Sequence, residues 1–334
     1  MYILGIDSST GRVGVAVNSD RQLLSKVGYG KNQKYMVSII SLIDKALKKA
    51  SINLDFVDLF AVNIGPGDFT GTRIGISVAK TLAWIGSKPI CGIESLDVAA
   101  LGIFFKNLKK IQKPLGEGKQ IIIAPVQDVK RNEVYFSFYK MEESNIGITI
   151  NGRKSRNSED ERSEFKIHTI SNISIQNKNY CINKVSDSYL AESKDFVKKF
   201  SALIVPGNAD NGFSSYILLS GSGFSSYKHL EAEVKELGGS RFGSHLSSLT
   251  GVDKRAFSPD AFHLNLCAYY SYLKNRQESP DKVKSTGKGN LKGSKAQESE
   301  EAQNGSMPNS DVSSLPTNYG LAPLYVREFT PFKT

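Results

Sequence analysis

The chain has 334 residues and a formal net charge of +10, from 43 Lys and Arg against 33 Asp and Glu. That length can bury a sizeable core, spread over two lobes, and the charge fits a polyanionic partner although the basic residues are scattered. Cys91, Cys181 and Cys267 lie too far apart for a Cys-x-x-Cys pair or a disulfide framework, so a reducing cytoplasm is the expected location; no apolar run reaches membrane-spanning length.

Tyr2 to Ile6 reads as a strand that ends at Asp7-Ser8-Ser9-Thr10. Gly11-Arg12 turns the chain. Val13, Val15 and Val17 alternate as a returning strand, and a third strand is expected over Gln22 to Val27. Lys34 to Ala50 predicts an amphipathic helix, with Met36, Ile39, Ile40, Ile43, Ala46 and Leu47 in one stripe and Lys45, Lys48 and Lys49 outside it. Val57 to Ile64 reads as a buried strand. Gly65-Pro66-Gly67 breaks it, and a helix is expected from Thr72 to Trp84, with Ile74, Val78 and Leu82 on one face beside Ile76, Ala79 and Ala83. Asp68 and Thr70 are both candidate N-caps.

This strand, glycine turn and helix admit two readings. The glycines can let the helix sit close to the sheet, or the helix start can hold an anion or a partner through its free N–H groups. The stretch is not Gly-x-Gly-x-x-Gly, and no Gly-Lys-Ser/Thr follows, which disfavours a P-loop ATPase.

Gly65-Pro66-Gly67-Asp68-Phe69-Thr70-Gly71-Thr72-Arg73-Ile74-Gly75 resembles the Gly-Pro-Gly-Ser-Phe-Thr-Gly-Leu-Arg-Ile-Gly signature of the TsaB (YeaZ) family, subunits of the bacterial machinery that makes N6-threonylcarbamoyladenosine (t6A) in tRNA. Asp68 and Thr72 depart from that signature at turn positions. The resemblance implies an α/β, two-lobed actin-like ATPase (RNase H-like) fold with insertions. In such a fold Asp7, Ser8, Ser9 and Thr10 resemble the first phosphate loop, where an Asp positions a metal-bound water and hydroxyls meet nucleotide phosphates. Asp and Ser are equally ordinary turn residues. The resemblance also implies that the helices over 34–50 and 72–84 pair with TsaD or with a second copy. Met36, Ile39, Ile40, Ile43, Leu47 and Val78 would then be interface residues, and Gly65, Gly67, Asp68, Thr70, Gly71 and Arg73 a partner motif at the helix start. The plainer alternative is that both stripes face the sheet. Where the family often has a His near the start of the first helix, this chain reads Asn32-Gln33-Lys34.

Ile90 to Ile93 is expected as a strand, and Ser95 as the N-cap of a helix over a segment resembling the family's Thr-Ser-Leu-Glu-Ala-Leu-Ala. Lys106 to Gly118, basic and glycine-containing, reads as a lobe boundary. Residues 1–110 would form the N-terminal lobe and 118–275 the second, with inserted loops near 142–199. Gln120 to Val126, a turn at Asp128 to Asn132 and Glu133 to Tyr139 read as a hairpin resembling the family's Asp-Ala-Arg-Arg-x-Glu-Val-Tyr; Asp128, Arg131 and Glu133 form either an exposed functional set or a turn ion-pair cluster of little energetic weight. Asn151 to Glu164 reads as a solvated loop whose acids nearly cancel Lys154, Arg156 and Arg162. Tyr216 to Leu219 reads as a strand entering Gly221-Ser222-Gly223. Ser258-Pro259-Asp260 predicts a helix start with Ser258 as N-cap. Residues 277–318, with almost no apolar side chains, read as a disordered linker. Ala322 to Arg327, within a C-terminal segment over 319–334, resembles the family's Pro-x-Tyr-x-Arg ending.

Of the four histidines, His168, His229, His245 and His263, none makes a His-x-x-x-His pair. TsaD, the catalytic relative, carries such a pair for its metal. The expectation is therefore a non-catalytic subunit with no metal and no required cofactor, with ATP or ADP admitted at the partner joint. Its partners would be TsaD, TsaE in a larger complex, and tRNA as substrate of the complex, with a homodimer in isolation and no membrane. The alternatives are an ATP-dependent small-molecule kinase on the same fold, for which no clear second phosphate loop is found, and TsaD itself.

Overall fold

A continuous apolar run sets β1 (Tyr2–Asp7) and alternating valines set β2 (Val13–Ser19); with β3 (Gln22–Tyr29) they pair antiparallel in that order. The computed structural model describes residues 1–29, 35–143, 168–175, 178–204, 215–240 and 260–278. Helix α1 (Tyr35–Ala50) returns the chain to β4 (Leu59–Gly65), which lies parallel to β1, and α2 (Phe69–Ile85) returns it to β5 (Ile90–Glu94), parallel to β4. The sheet order is β3-β2-β1-β4-β5. The central strands are buried on both faces, as parallel strands between helical layers must be.

Two clusters line those faces. Leu4, Ile6, Phe60 and Val62 meet Ile39, Leu42, Ile43, Ala46 and Leu47 of α1 and Ile76, Ala79 and Ala83 of α2. On the opposite face Ile3, Leu59, Ala61 and Ile93 meet α3 (Ser95–Lys106) and α8 (Ala261–Glu278). That second cluster continues into the other sheet through Ile121, Ile123, Tyr139, Met141, Ile182 and Leu218. One core therefore runs from the first sheet through α3 and α8 to the second, and fixes the two lobes against each other.

After α4 (Leu108–Gly116) the second sheet is built from β6 (Gln120–Lys130), β7 (Glu133–Phe136), β8 (Tyr139–Glu143), β9 (His168–Ile175), β10 (Lys178–Lys184), β11 (Tyr189–Glu192) and β12 (Ser215–Ser220). Its order is β11-β7-β6-β8-β10-β9, with β12 parallel to β6. The path β10-β8-β6-β12 repeats β3-β2-β1-β4: two antiparallel pairings, then a parallel one. Its outer face carries Ala124, Val126, Val134, Phe136, Ile217 and Leu219, covered by Phe196 and Phe200 of α5 (Ser193–Ile204), Phe224 of α6 (Ser222–Ser226) and Leu230 and Val234 of α7 (Lys228–Ser240).

The stretch read as a lobe boundary holds α4, which lies in the chain between β5 of the first sheet and β6 of the second and buries Ile111 and Pro114. Several other expectations are corrected. Residues 168–175 and 178–199 are built mainly of β9, β10, β11 and part of α5 rather than loops, whereas 144–167 and 176–177 lie outside the described residues. Helix α8, assigned by position to the second lobe, packs on β9 of the second sheet but also on β1, β2, β4 and β5 of the first, where Asn265 donates to the carbonyls of Ile3 and Ala16 and to Asn18 Oδ1. The returning strand over 133–139 breaks after Phe136. Its first part pairs with the distal half of β6, and after Ser137 and Phe138 the chain rejoins the proximal half as β8. Ser95 is the first residue of α3, with Glu94 at the cap position, and its hydroxyl donates to Asn63 Oδ1 at 2.7 Å. Asp260 caps α8, its Oδ1 accepting from the N–H groups of Phe262 and His263; Ser258 lies outside the described residues. The linker over 277–318 from residue 279 onward, the 319–334 segment, the 151–164 loop and Asn32 to Lys34 lie outside the described residues.

Candidate functional site

The first turn of α2 and the loop after β1 are built around each other. Gly67, Gly71 and Gly75 recur every four residues and so share one side of the helix start. A Cβ on Gly67 would collide with the Ser9 carbonyl, one on Gly71 with the Ser8 carbonyl, and one on Gly75 with Ser8 Oγ. The absence of three side chains is what lets the loop lie on the helix. Asp68 caps α2, its Oδ1 accepting from Gly71 N–H at 2.6 Å, while its own N–H donates to the Ser9 carbonyl at 2.6 Å. Ser8 Oγ donates to the Gly71 carbonyl at 2.7 Å. Gly65 takes a positive φ of 97° at the turn, and its N–H donates to Asn63 Oδ1. Of the two readings of this turn, close packing describes the geometry.

The same contacts close the phosphate-like loop. Asp7, Ser8 and Ser9 are buried and Thr10 is half-buried. Asp7 Oδ1 accepts from both the N–H and the hydroxyl of Ser9. Both serine hydroxyls thus donate inward, and neither faces a phosphate as arranged here. Asp7 Oδ2 is buried with no hydrogen-bond partner among the described residues. Burial, reinforced by the charge of Asp260 and opposed by the Ser9 bonds, raises the Asp7 carboxyl to about 6. Asp260 goes the other way. Burial alone would raise it, yet His263 and Lys26, at 3.1 and 3.0 Å, outweigh that and hold it well below the usual carboxylate range. Among the described residues no group of three or more His, Cys, Asp or Glu is placed to hold a metal ion.

The helix faces divide differently from the sequence reading. Ile39, Ile43 and Leu47 lie in the lobe's own core and are not available to a partner; Val78 is half-buried against the same core. The side chain of Met36 lies outside the described set. What α1 and α2 do present is Ile40 (55% exposed), Phe69 (47%), Trp84 (63%) and Ile85 (71%). The Arg73 guanidinium lies over the Phe69 ring, 3.9 Å from its centroid, and Thr70 is exposed beside it. Phe69, Trp84 and Ile85 were missed because they fall outside the Ile76–Ala79–Ala83 stripe; that displacement is itself the signal, since large apolar residues off the core stripe need another reason to be there.

In the second lobe Asp128 accepts from Ser226 Oγ and the Tyr227 hydroxyl, and its N–H bonds to Ser222 Oγ. Arg131 and Asn132 form an exposed turn, both at positive φ. Gly221 and Gly223 serve packing as well, because a Cβ on either would strike Val126.

Comparison with known proteins places this geometry. The family model for TsaD, tRNA N6-adenosine threonylcarbamoyltransferase, matches residues 22–149. The TsaB biosynthesis protein of Bacillus subtilis (strain 168) is 29% identical over 141 residues, 42% of this chain and 56% of that one. The TsaB of Escherichia coli (strain K12) is 29% identical over 146 residues, 44% and 58% of the two chains. YeaZ from Pseudomonas aeruginosa superposes over 82% of this chain and 95% of its own, with a TM-score of 0.51 at 17% identity.

The chain is similar to TsaB (YeaZ) proteins and shares the fold of YeaZ.

A TsaD transferase, from Persephonella marina (strain DSM 14350 / EX-H1), is also similar, at 34% identity over 34% of this chain and 37% of that one. The chain spans less than two thirds of the length of each of these curated relatives. The family-model match, residues 22–149, takes in the glycine-striped start of α2 and the start of the second sheet.

Proposed function

We propose that this TsaB-like protein is a non-catalytic subunit of the machinery that makes t6A in tRNA. It pairs with TsaD through the outward sides of α1 and α2, joins TsaE in a larger complex, and forms a homodimer when alone. Threonylcarbamoyl transfer to adenosine 37 takes place on TsaD. The observation that carries this reading is the exposed apolar set Ile40, Phe69, Trp84 and Ile85, on the two helices beside the family signature. Large apolar groups left in water on neighbouring helices are what a partner surface needs at its centre. The biosynthetic role is supported by the names of the TsaB relatives.

The test is co-purification with TsaD of the same organism. Wild type should bind, and Ile40→Glu with Trp84→Asp, still folded, should not, because a charge placed in a desolvated patch costs several kcal/mol, of order 2–7. If wild type fails to associate with TsaD at any salt or nucleotide concentration, the reading is lost. ATP turnover by the pure protein, abolished in Asp7→Asn, would favour the kinase instead. The inward bonds of Ser8 and Ser9 argue against that outcome.

A further inference from the structure

Between Val98 and Gly116 the chain has four lysines and no acidic residue. Lys109, Lys110 and Lys113 all project from α4 and are exposed. The apolar side of that helix is spent inward: Ile111 and Pro114 are buried, and Leu108 and Leu115 pack against the central core. The helix is held rigidly where it begins. Asn107 is buried, its Nδ2 donating to the Ile103 carbonyl at 2.9 Å, and the N–H groups of Lys110 and Ile111 bond to the Asn107 carbonyl. The next acid, Glu117, is ion-paired with Lys119 at 2.9 Å and also feels the charge of Lys113, so it offsets only the C-terminal end of the row.

We propose that the lysine face of α4 is a docking surface for the phosphate backbone of a folded RNA. Charge complementarity carries the choice of occupant: a fixed, acid-free row of ammonium groups on a chain of net charge +10 matches a polyanion. A membrane surface fits less well, because an interfacial helix must also lay down apolar side chains, and those of α4 are already buried in the protein. Phe105, 38% exposed beside the lysines, packs its ring against Phe104 and His263. Helix α4 packs into the core shared by the two sheets, whereas α1 and α2 pack on the other face of the first sheet. The role in tRNA modification proposed above enters only in the choice of tRNA as the probe.

The experiment measures binding of labelled tRNA to the full chain across a salt series. Three forms are compared: wild type, Lys109→Gln/Lys110→Gln/Lys113→Gln, and an equal charge removal on α1, Lys45→Gln/Lys48→Gln/Lys49→Gln. Wild-type affinity should fall linearly in log–log with salt; the α4 variant should lose about 2–3 from that slope and bind on the order of tenfold or more weakly at low salt. The α1 variant should stay close to wild type. Equal loss in both variants would reduce the effect to net charge and overturn the proposal. So would an unchanged α4 variant, no RNA binding by wild type, or α4-dependent binding to phosphatidylserine–phosphatidylcholine vesicles in place of RNA. Co-purification of each variant with TsaD separates the two proposals: retained assembly with unchanged RNA binding sinks the docking face and leaves the scaffold reading standing, while lost RNA binding without any TsaD association does the reverse.

Discussion

The Tyr139 hydroxyl donates a 2.6 Å hydrogen bond to Asp97 Oδ1 where the second sheet meets α3, and both residues are buried. Beside them Lys184 of β10 reaches Glu94 Oε2 at 2.5 Å and lies 3.7 Å from Asp97, while Ser188 donates to the same Glu94 oxygen. Burial, and then the Asp97 charge, push the Tyr139 phenol well above its usual range, so it remains a donor at any physiological pH. The apolar core holds the sheets together without direction; this polar set adds their register. Tyr139→Phe should cost about 1–3 kcal/mol in denaturant unfolding, and Lys184→Met, which strands two carboxylates, about 2–4 kcal/mol. Neutral effects from both would show that the cluster contributes nothing to lobe docking.

Gly71→Ala should destabilise by about 1–3 kcal/mol or more, because its Cβ meets the backbone carbonyl of Ser8 and neither the helix nor the loop can give way cheaply. Gly116→Ala, with open space around the added carbon, should stay within about 0.5 kcal/mol of wild type. Thermal unfolding of the two variants checks the contrast. If both were neutral, the packing account of the signature glycines would fail.

Asp7 contributes to pH dependence in a direction unusual for a carboxylate. Its folded value, about 6, lies above the ordinary 3.8, so its contribution to stability is fully present below 3.8 and is lost as pH rises through 6. At neutral pH the buried ionised form costs up to about 3 kcal/mol. Asp7→Asn keeps an acceptor for the Ser9 bonds, and should therefore stabilise the protein at pH 7.5 with little effect at pH 4. Urea midpoints at the two pH values decide it; a variant equally weakened at both would mean that the charge is needed.

Adjacent isoleucines on α1 should behave oppositely. Ile39 is fully buried and Ile40 is 55% exposed. Ile39→Ala should cost about 2–5 kcal/mol of folding stability, while Ile40→Ala should leave stability within about 0.5 kcal/mol. In the proposed assembly only Ile40→Ala weakens association with TsaD without weakening the fold. Titration calorimetry on the folded variants, beside their unfolding curves, tests both halves.

The first sheet was legible residue by residue, because its signals are local: alternation over Val13, Val15 and Val17, helical spacing over α1 and α2, and the Gly65-Pro66-Gly67 turn between a strand and a helix. The cap choice between Asp68 and Thr70 was left open by pattern and settled by one hydrogen bond. The α1 stripe was legible as a stripe but not by destination, since a helix face bound for its own core and one bound for a partner have the same period. Only packing separated Ile39 from Ile40.

By itself the sequence determined the elements of the first lobe, their order and the glycines at the helix start, because propensity, periodicity and turn chemistry act over a few residues. The tertiary structure alone decided that the Asp7–Ser9 loop is sealed, through a bond from Ser8 to Gly71 spanning 63 positions. It also decided that α8 packs between the first sheet and β9 of the second, and that Tyr139, Asp97, Lys184 and Glu94 converge between the lobes. Such contacts join residues distant in the chain. They depend on which faces are buried together, and burial is a property of the whole fold that no short window of sequence contains.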